Sequence, residues 1–189
     1  MNPERDLTIL VAHCDDEFLF MWPFLARAKK IVCLTSDANN PRRAWCKGRK
    51  KAFMEVCDLV GAEGVCLDHS SRFFSLPNAE LAAVVAQARE CLYGSSLIAT
   101  HNAWGEYGHL DHVMCHQIAR QTCAKVLTTN AVVRADWYPV VPYLQGKNID
   151  HVKNDMLFHE RCMGIYRGHG AMGWSWEPLR EVSVVEVQG

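Results

Sequence analysis

Short, unbroken apolar runs alternate along the chain with longer stretches whose apolar residues recur at helical spacing. The runs at 7–12 (LTILVA), 31–36 (IVCLTS), 64–68 (GVCLD), 96–101 (SLIATH) and 126–133 (VLTTNAVV) are rich in β-branched residues and predict strands. They lack strict in–out alternation, the mark of strands covered on both faces, as in parallel sheets. Between them the spacing predicts helices over 16–29, 43–60, 76–93 and 110–123. Gly61 and Gly94 stand where the second and third should stop, and Pro77 and Asn78 where the third should start. The last third reads differently: a Trp/Tyr/Pro-rich stretch at 136–146, a helix near 149–163, a Gly/Trp-rich loop at 164–178 and an alternating strand at 181–187 (EVSVVEV). The alternation predicts an α/β fold of three layers with a mostly parallel sheet of about five to six strands. No repeat, low-complexity tract or linker interrupts it, so residues 1–189 read as a single domain.

Composition narrows the class. The 189 residues are 49% hydrophobic and 22% charged, too apolar for disorder. Twenty Lys+Arg against 21 Asp+Glu leave a net charge of −1, which argues against a nucleic-acid partner held by charge. Residues 42–51 form a basic stretch, read first as a solvated helix face and alternatively as a lure for a phosphate-bearing substrate. Nine scattered cysteines without a CxxC pair suggest neither a disulfide framework nor a thiolate zinc knuckle. The start of the chain has no basic-then-apolar leader pattern, and no apolar run approaches the ~18 residues of a membrane span. The expectation is a protein of the reducing cytoplasm.

Ligands of parallel sheets gather at the carboxyl ends of the strands. Two such ends are densely polar. After the first strand comes His13-Cys14-Asp15-Asp16-Glu17, whose carboxylates repel one another unless a cation relieves them. The competing reading is an acidic N-cap for the next helix. After the fourth strand comes His101 to His116, in which His109, His112 and His116 recur at spacings of three and four and share a helical face. Histidine and carboxylate donors suit Zn²⁺, and a catalytic zinc site keeps three protein ligands and one open position.

The pairing of AHCDDE with GEYGHLDH, about ninety residues apart, resembles the LmbE/PIG-L family of zinc-dependent de-N-acetylases, with its AHPDDE and GHxDH signatures. Arg49, opening RKKAFMEVCDLVGA, resembles the family's arginine-led second helix, and KNDMLFH, ending at His159, its later histidine helix. The resemblance implies a Rossmann-like, LmbE-like fold and a hydrolase that removes acetyl from an N-acetylated amino sugar or conjugate of the N-acetylglucosamine type. It assigns Zn²⁺, or another divalent metal such as Fe²⁺, to His13, Asp16 and His112. Asp15 becomes the general base and His109 a protonated partner for the oxyanion or leaving amine. Asp111 orients His109, Tyr107 faces the substrate carbonyl, and Arg49 and His159 contact substrate. Cys14 departs from the signature's proline, and Ala52 stands where the family often has a glutamate, which weakens any ion pair for Arg49.

His69, Arg72, Trp104, Trp174 and Trp176 are weaker substrate candidates, each more simply read as loop or core. Three alternatives compete with a sugar deacetylase: a zinc amidohydrolase for a small non-sugar amide, a catalytically silent carbohydrate-binding module, and a nucleotide-binding Rossmann domain. HCDDE in place of GxGxxG argues against the last. The implied partner is a small molecule, and a homo-oligomer is compatible with the sequence.

Overall fold

The computed structural model describes residues 6–37, 46–131, 146–171 and 178–188. Among the described residues, seven strands form one sheet: β1 (Leu7–His13), β2 (Ala28–Thr35), β3 (Glu63–His69), β4 (Ile98–Thr100), β5 (Lys125–Thr129), β6 (Lys147–Lys153) and β7 (Glu181–Gln188). Their order is β3-β2-β1-β4-β5-β7-β6. The first five strands of that order are mutually parallel, and β7 runs antiparallel to both β5 and β6. The fold is therefore α/β and mostly parallel, with seven strands where the sequence predicts five or six.

The apolarity of β1 follows from its two buried faces. Leu7, Ile9 and Val11 join one core with Phe18 of α1 (Asp16–Leu19), Phe53 and Val56 of α2 (Arg49–Val60), and Met163 and Tyr166 of α6 (Met156–Gly168). Leu10 and Ala12 join the other with Val84 and Ala88 of α3 (Asn78–Leu92) and Cys115 and Ile118 of α5 (Leu110–Thr122). These are the three layers, and α2 ends as expected at Gly61, whose φ of 67° is left-handed.

Three predicted elements are corrected. The helix over 16–29 stops at Leu19, gives way to a 3-10 turn at Trp22–Arg27, and its last residues start β2. Pro23 lacks the N–H that a helix would use there, and residues 16–22 are buried without a polar face. The helix near 149–163 begins only at Met156, because Asp155 caps it by accepting from the backbone N–H groups of Leu157 and Phe158 at 3.0 and 3.1 Å. Residues before that cap form β6, whose Lys153 pairs with Glu181. The loop predicted from 164 starts later, since α6 continues to Gly168. Residues 42–45, 132–145, Trp174 and Trp176 lie outside the described residues. No described helix is long and apolar enough to cross a membrane.

The strand order puts β1 beside β4 although β2 and β3 intervene in sequence. That reversal is the topological switch point, where the carboxyl ends of a parallel sheet open a crevice.

Candidate active site

The two polar clusters meet at this crevice. His13 ends β1, and its backbone N–H donates to Asp16 Oδ2 at 2.7 Å, folding that carboxylate back over the strand end. Asp15, between them, has φ 114°, a left-handed backbone rare for a residue with a side chain and found where a turn is tightly constrained. Across the crevice, Gly105 has φ 67° and opens the kinked turn α4 (Gly105–Gly108). A Cβ at Gly105 would stand 3.2 Å from His112 Cβ, so glycine lets this turn close onto α5.

Three atoms form a near-equilateral triangle. His13 Nδ1 lies 3.2 Å from Asp16 Oδ2 and 3.2 Å from His112 Nε2, and Asp16 Oδ2 lies 3.4 Å from His112 Nε2. A tetrahedral zinc with N and O ligands at about 2.0–2.1 Å sets its donors about 3.3–3.4 Å apart, so the residues fit such an ion in kind and spacing. The rings are turned for it. His112 Nδ1 is 2.7 Å from Glu106 Oε2; a carboxylate only accepts, so the proton is on Nδ1 and Nε2 offers its lone pair to the triangle. His13 Nε2, 3.2 Å from Asp111 Oδ2, leaves Nδ1 for the same use.

The electrostatics agree. Burial opposes ionisation of Asp16, but His112, His101 and His13 outweigh it and hold the carboxyl well below its usual range. Burial likewise opposes charge on His13, yet Asp16 and Asp111 raise its pKa to about 9. A cation at Nδ1 would displace that proton.

Asp15 is enclosed but half-used. Its Oδ1 pairs with Arg49 at 2.6 Å, while Oδ2 is buried with no hydrogen-bond partner among the described residues. Burial raises the pKa of Asp15, the Arg49 charge offsets part of that rise, and the balance falls at about 6. Arg49 also donates from Nε to the Cys14 carbonyl at 2.9 Å. It is 3% exposed and braces the carboxylate turn, and Asp15 supplies the ion pair that Ala52 cannot. Glu17 supports the same turn from below, accepting from the Asp15 N–H at 2.9 Å and from the Tyr166 hydroxyl at 2.7 Å.

His109 lines the mouth with 27% of its side chain exposed. Its ring centroid is 4.6 Å from that of His13 and 4.9 Å from that of His112. Its Nδ1 accepts the Asp111 N–H at 3.3 Å, so the neutral ring carries its proton on Nε2. Burial and the neighbouring His13 and His112 lower its pKa to about 4, and a cation beside it pushes the same way. The resemblance casts His109 as a protonated partner; burial, His13 and His112 favour its neutral form here. The Asp111 carboxylate lies nearer to His13 than to His109, whose ring is held by the Asp111 N–H. Its Oδ2 is 3.2 Å from His13 but 3.9 Å from His109, and its two oxygens accept from the N–H groups of Arg72 and Phe73 at 2.7 and 2.9 Å. The Tyr107 ring stands 5.3 Å from His112 and 5.6 Å from His109, at the same mouth.

His159 is not gathered into the cluster. It is 3% exposed, its ring 5.3 Å from that of Phe18, because α6 turns that position into the core. His116 donates to the His101 carbonyl at 2.8 Å, Trp104 to that of Ala131 at 3.3 Å, and half-buried His69 contacts Gln87 at 2.9 Å. Sequence reasoning missed Glu106 and His101. Glu106 Oε2 touches both His112 and His101, the latter at 3.0 Å, and His101 Nε2 reaches Asp16 Oδ2 at 3.3 Å. Burial opposes charge on His101, while Glu106 and Asp16 push its pKa up to about 10; its Nε2 also accepts the Ala12 N–H at 3.2 Å.

The family model for the GlcNAc-PI de-N-acetylase, PIG-L, matches residues 8–123. No curated protein matches by sequence. Among solved structures, the A40926 pseudoaglycone deacetylase Dbv21 superposes with TM-score 0.64 at 12% identity, covering 98% of each chain. The N,N'-diacetylchitobiose deacetylase of Pyrococcus horikoshii gives 0.60 at 14% identity, over 89% of this chain and 71% of that one. GalB, the 4-carboxy-2-hydroxymuconate hydratase of Pseudomonas putida KT2440, gives 0.60 at 11% identity over 97% of both. These likenesses fix the fold.

Proposed function

The chain belongs to the PIG-L family of GlcNAc-PI de-N-acetylases, and from that premise we propose that it is a zinc-dependent amide hydrolase releasing acetate from an N-acetylated amino sugar or sugar conjugate. The observation that carries the reading is the triangle of His13, Asp16 and His112, together with the buried Asp15 Oδ2 on the same turn, which has no hydrogen-bond partner among the described residues. His13, Asp16 and His112 would hold the metal, and a zinc bound there would supply an acidified water, with a pKa of ~7, and a Lewis acid for the amide carbonyl.

The rest is the work of side chains. Asp15 Oδ2 accepts the proton of the attacking water, and its pKa of about 6 suits a base near neutrality. Arg49 fixes the carboxylate through Oδ1 and leaves Oδ2 for that proton. As the carbonyl oxygen gains charge, His109 donates its Nε2–H to it, with Tyr107 against the same mouth. The C–N bond then breaks as the proton on Asp15 passes to the amine nitrogen, giving acetate and a free amine. Glu106 and Asp111 hold the His112 and His13 rings in register. A silent module would be expected to lack a ligand or the base, and the presence of His13, Asp15, Asp16, His109, Asp111 and His112 in the sequence favours the enzyme reading over it. Cys14, Cys33 and Cys66 stand as neighbouring thiols rather than bridged, which suits the reducing cytoplasm.

The test is acetate release from a panel of N-acetylhexosamine conjugates by the zinc-loaded protein and by Asp15→Asn. The wild type should turn over, and Asp15→Asn should keep its zinc while kcat falls roughly 10²–10⁴-fold. No acetate from any conjugate, or near-normal turnover by Asp15→Asn, overturns the reading.

A further inference from the structure

Behind the catalytic turn, on the α2/α6 side of the sheet, three thiols from three different chain segments converge. Cys33 of β2 pairs in register with Cys66 of β3, which places their side chains on one face. The Cys14 N–H donates to the Thr35 carbonyl at 3.3 Å, extending the β1–β2 ladder and drawing the third thiol alongside. Cys14 Sγ lies 3.6 Å from Cys33 Sγ and 4.0 Å from Cys66 Sγ, and all three sulfurs fall within 4.8 Å of one another.

A cation with thiolates at about 2.3 Å holds its sulfurs about 3.8 Å apart in tetrahedral and about 4.0 Å apart in trigonal geometry, so these sulfurs need shift little to bind one. Soft sulfur donors select soft cations. No histidine, carboxylate or fourth cysteine joins the group among the described residues, which favours an ion content with three ligands over zinc. The guanidinium of Arg49, on the Cys14 carbonyl, brings positive charge next to the thiolates. Cys14 and Cys33 are fully buried, whereas Cys66 is half-buried and gives access.

We infer that Cys14, Cys33 and Cys66 form a second metal site, a trithiolate that takes a soft monovalent cation of the Cu⁺ type. Each ligating thiol gives up its proton to solvent as the ion enters. The ion would clasp three adjacent strands beside the hydrolytic centre, and the inference stands whether or not the hydrolase reading does.

The probe is Cu⁺ itself, titrated anaerobically into the full-length protein against a competing Cu⁺ chelator. The wild type and His112→Ala should each bind one tight equivalent with thiolate-to-metal charge-transfer absorption. Cys33→Ala/Cys66→Ala should lose that equivalent and its absorption while keeping its zinc. If the double variant fails to fold, Cys66→Ser, at the half-buried position, makes the same comparison with one ligand removed. The proposal is overturned if the cysteine variant that folds binds Cu⁺ as tightly as the wild type, or if the wild type shows no tight equivalent.

Discussion

Glu106 is fully buried with one carboxylate oxygen shared between two imidazoles. Burial alone would keep it protonated, but His101 and His112 hold its pKa at about 2. The charge therefore persists and fixes the proton of His112 on Nδ1. Glu106→Gln keeps the shape but removes that charge, and an amide can present NH₂ to His112 as readily as oxygen. Zinc affinity should fall about 10–100-fold, as for other carboxylates behind a metal-bound histidine, read by competition with a chelator. Unchanged affinity would show that Glu106 does not orient the ligand. At this scale the sequence was legible for groups whose residue type announces chemistry: His13, Asp15, Asp16, His109 and His112 all arrive at one crevice. It was not legible for roles set by direction. Asp111 follows His109 closely in the chain, yet its carboxylate points at His13, from the other side of the crevice. Arg49 and His159 fall on the expected helices, but their burial depth depends on neighbours distant in sequence.

Between elements, the approach of α2 to α6 sets where Arg49 lies. A Cβ on Gly48 would stand 2.1 Å from the His169 carbonyl oxygen at the end of α6, a contact backbone cannot yield without moving a helix. Gly48 has φ −88°, which alanine adopts freely, so conformational entropy alone would make Gly48→Ala stabilising by ~0.4–1 kcal/mol. The clash should reverse that sign, costing about 1–3 kcal/mol in thermal or denaturant unfolding. Arg49 is the next residue, so the same displacement should loosen its grip on Asp15 and lower turnover. A more stable Gly48→Ala would show that the helices part easily. The elements that were legible, β1, β2, α2, α3 and α5, are those whose apolar pattern is repeated over several turns or a whole buried strand. β6 was hidden because its side chains are almost all exposed, leaving no apolar face to reveal its period. It becomes a strand through its ladder with β7. The segment after β1 was misread for the opposite reason, since residues buried on every side carry no periodicity.

For the molecule as a whole, composition and alternation indicate a parallel α/β sheet, but strand order is a property of long-range pairing that no local pattern encodes. The order β3-β2-β1-β4-β5 makes β1 and β4 neighbours, and only then do residues 13–16 and 101–112 share one crevice. Because the proposed ligands come from both sides of the switch point, a metal bound there should stabilise the entire fold by mass action. Zinc at one hundred times its Kd corresponds to about 2.7 kcal/mol. For a chain of this size that is roughly a 5–10 °C rise in Tm, at ~2–4 °C per kcal/mol. The most direct measurement is zinc stoichiometry by elemental analysis together with zinc-dependent Tm, on the wild type and His112→Ala. One zinc per chain and a raised Tm in the wild type, both lost in a folded His112→Ala, is the expected result. Full zinc occupancy with an equal thermal shift in His112→Ala would contradict the metal centre.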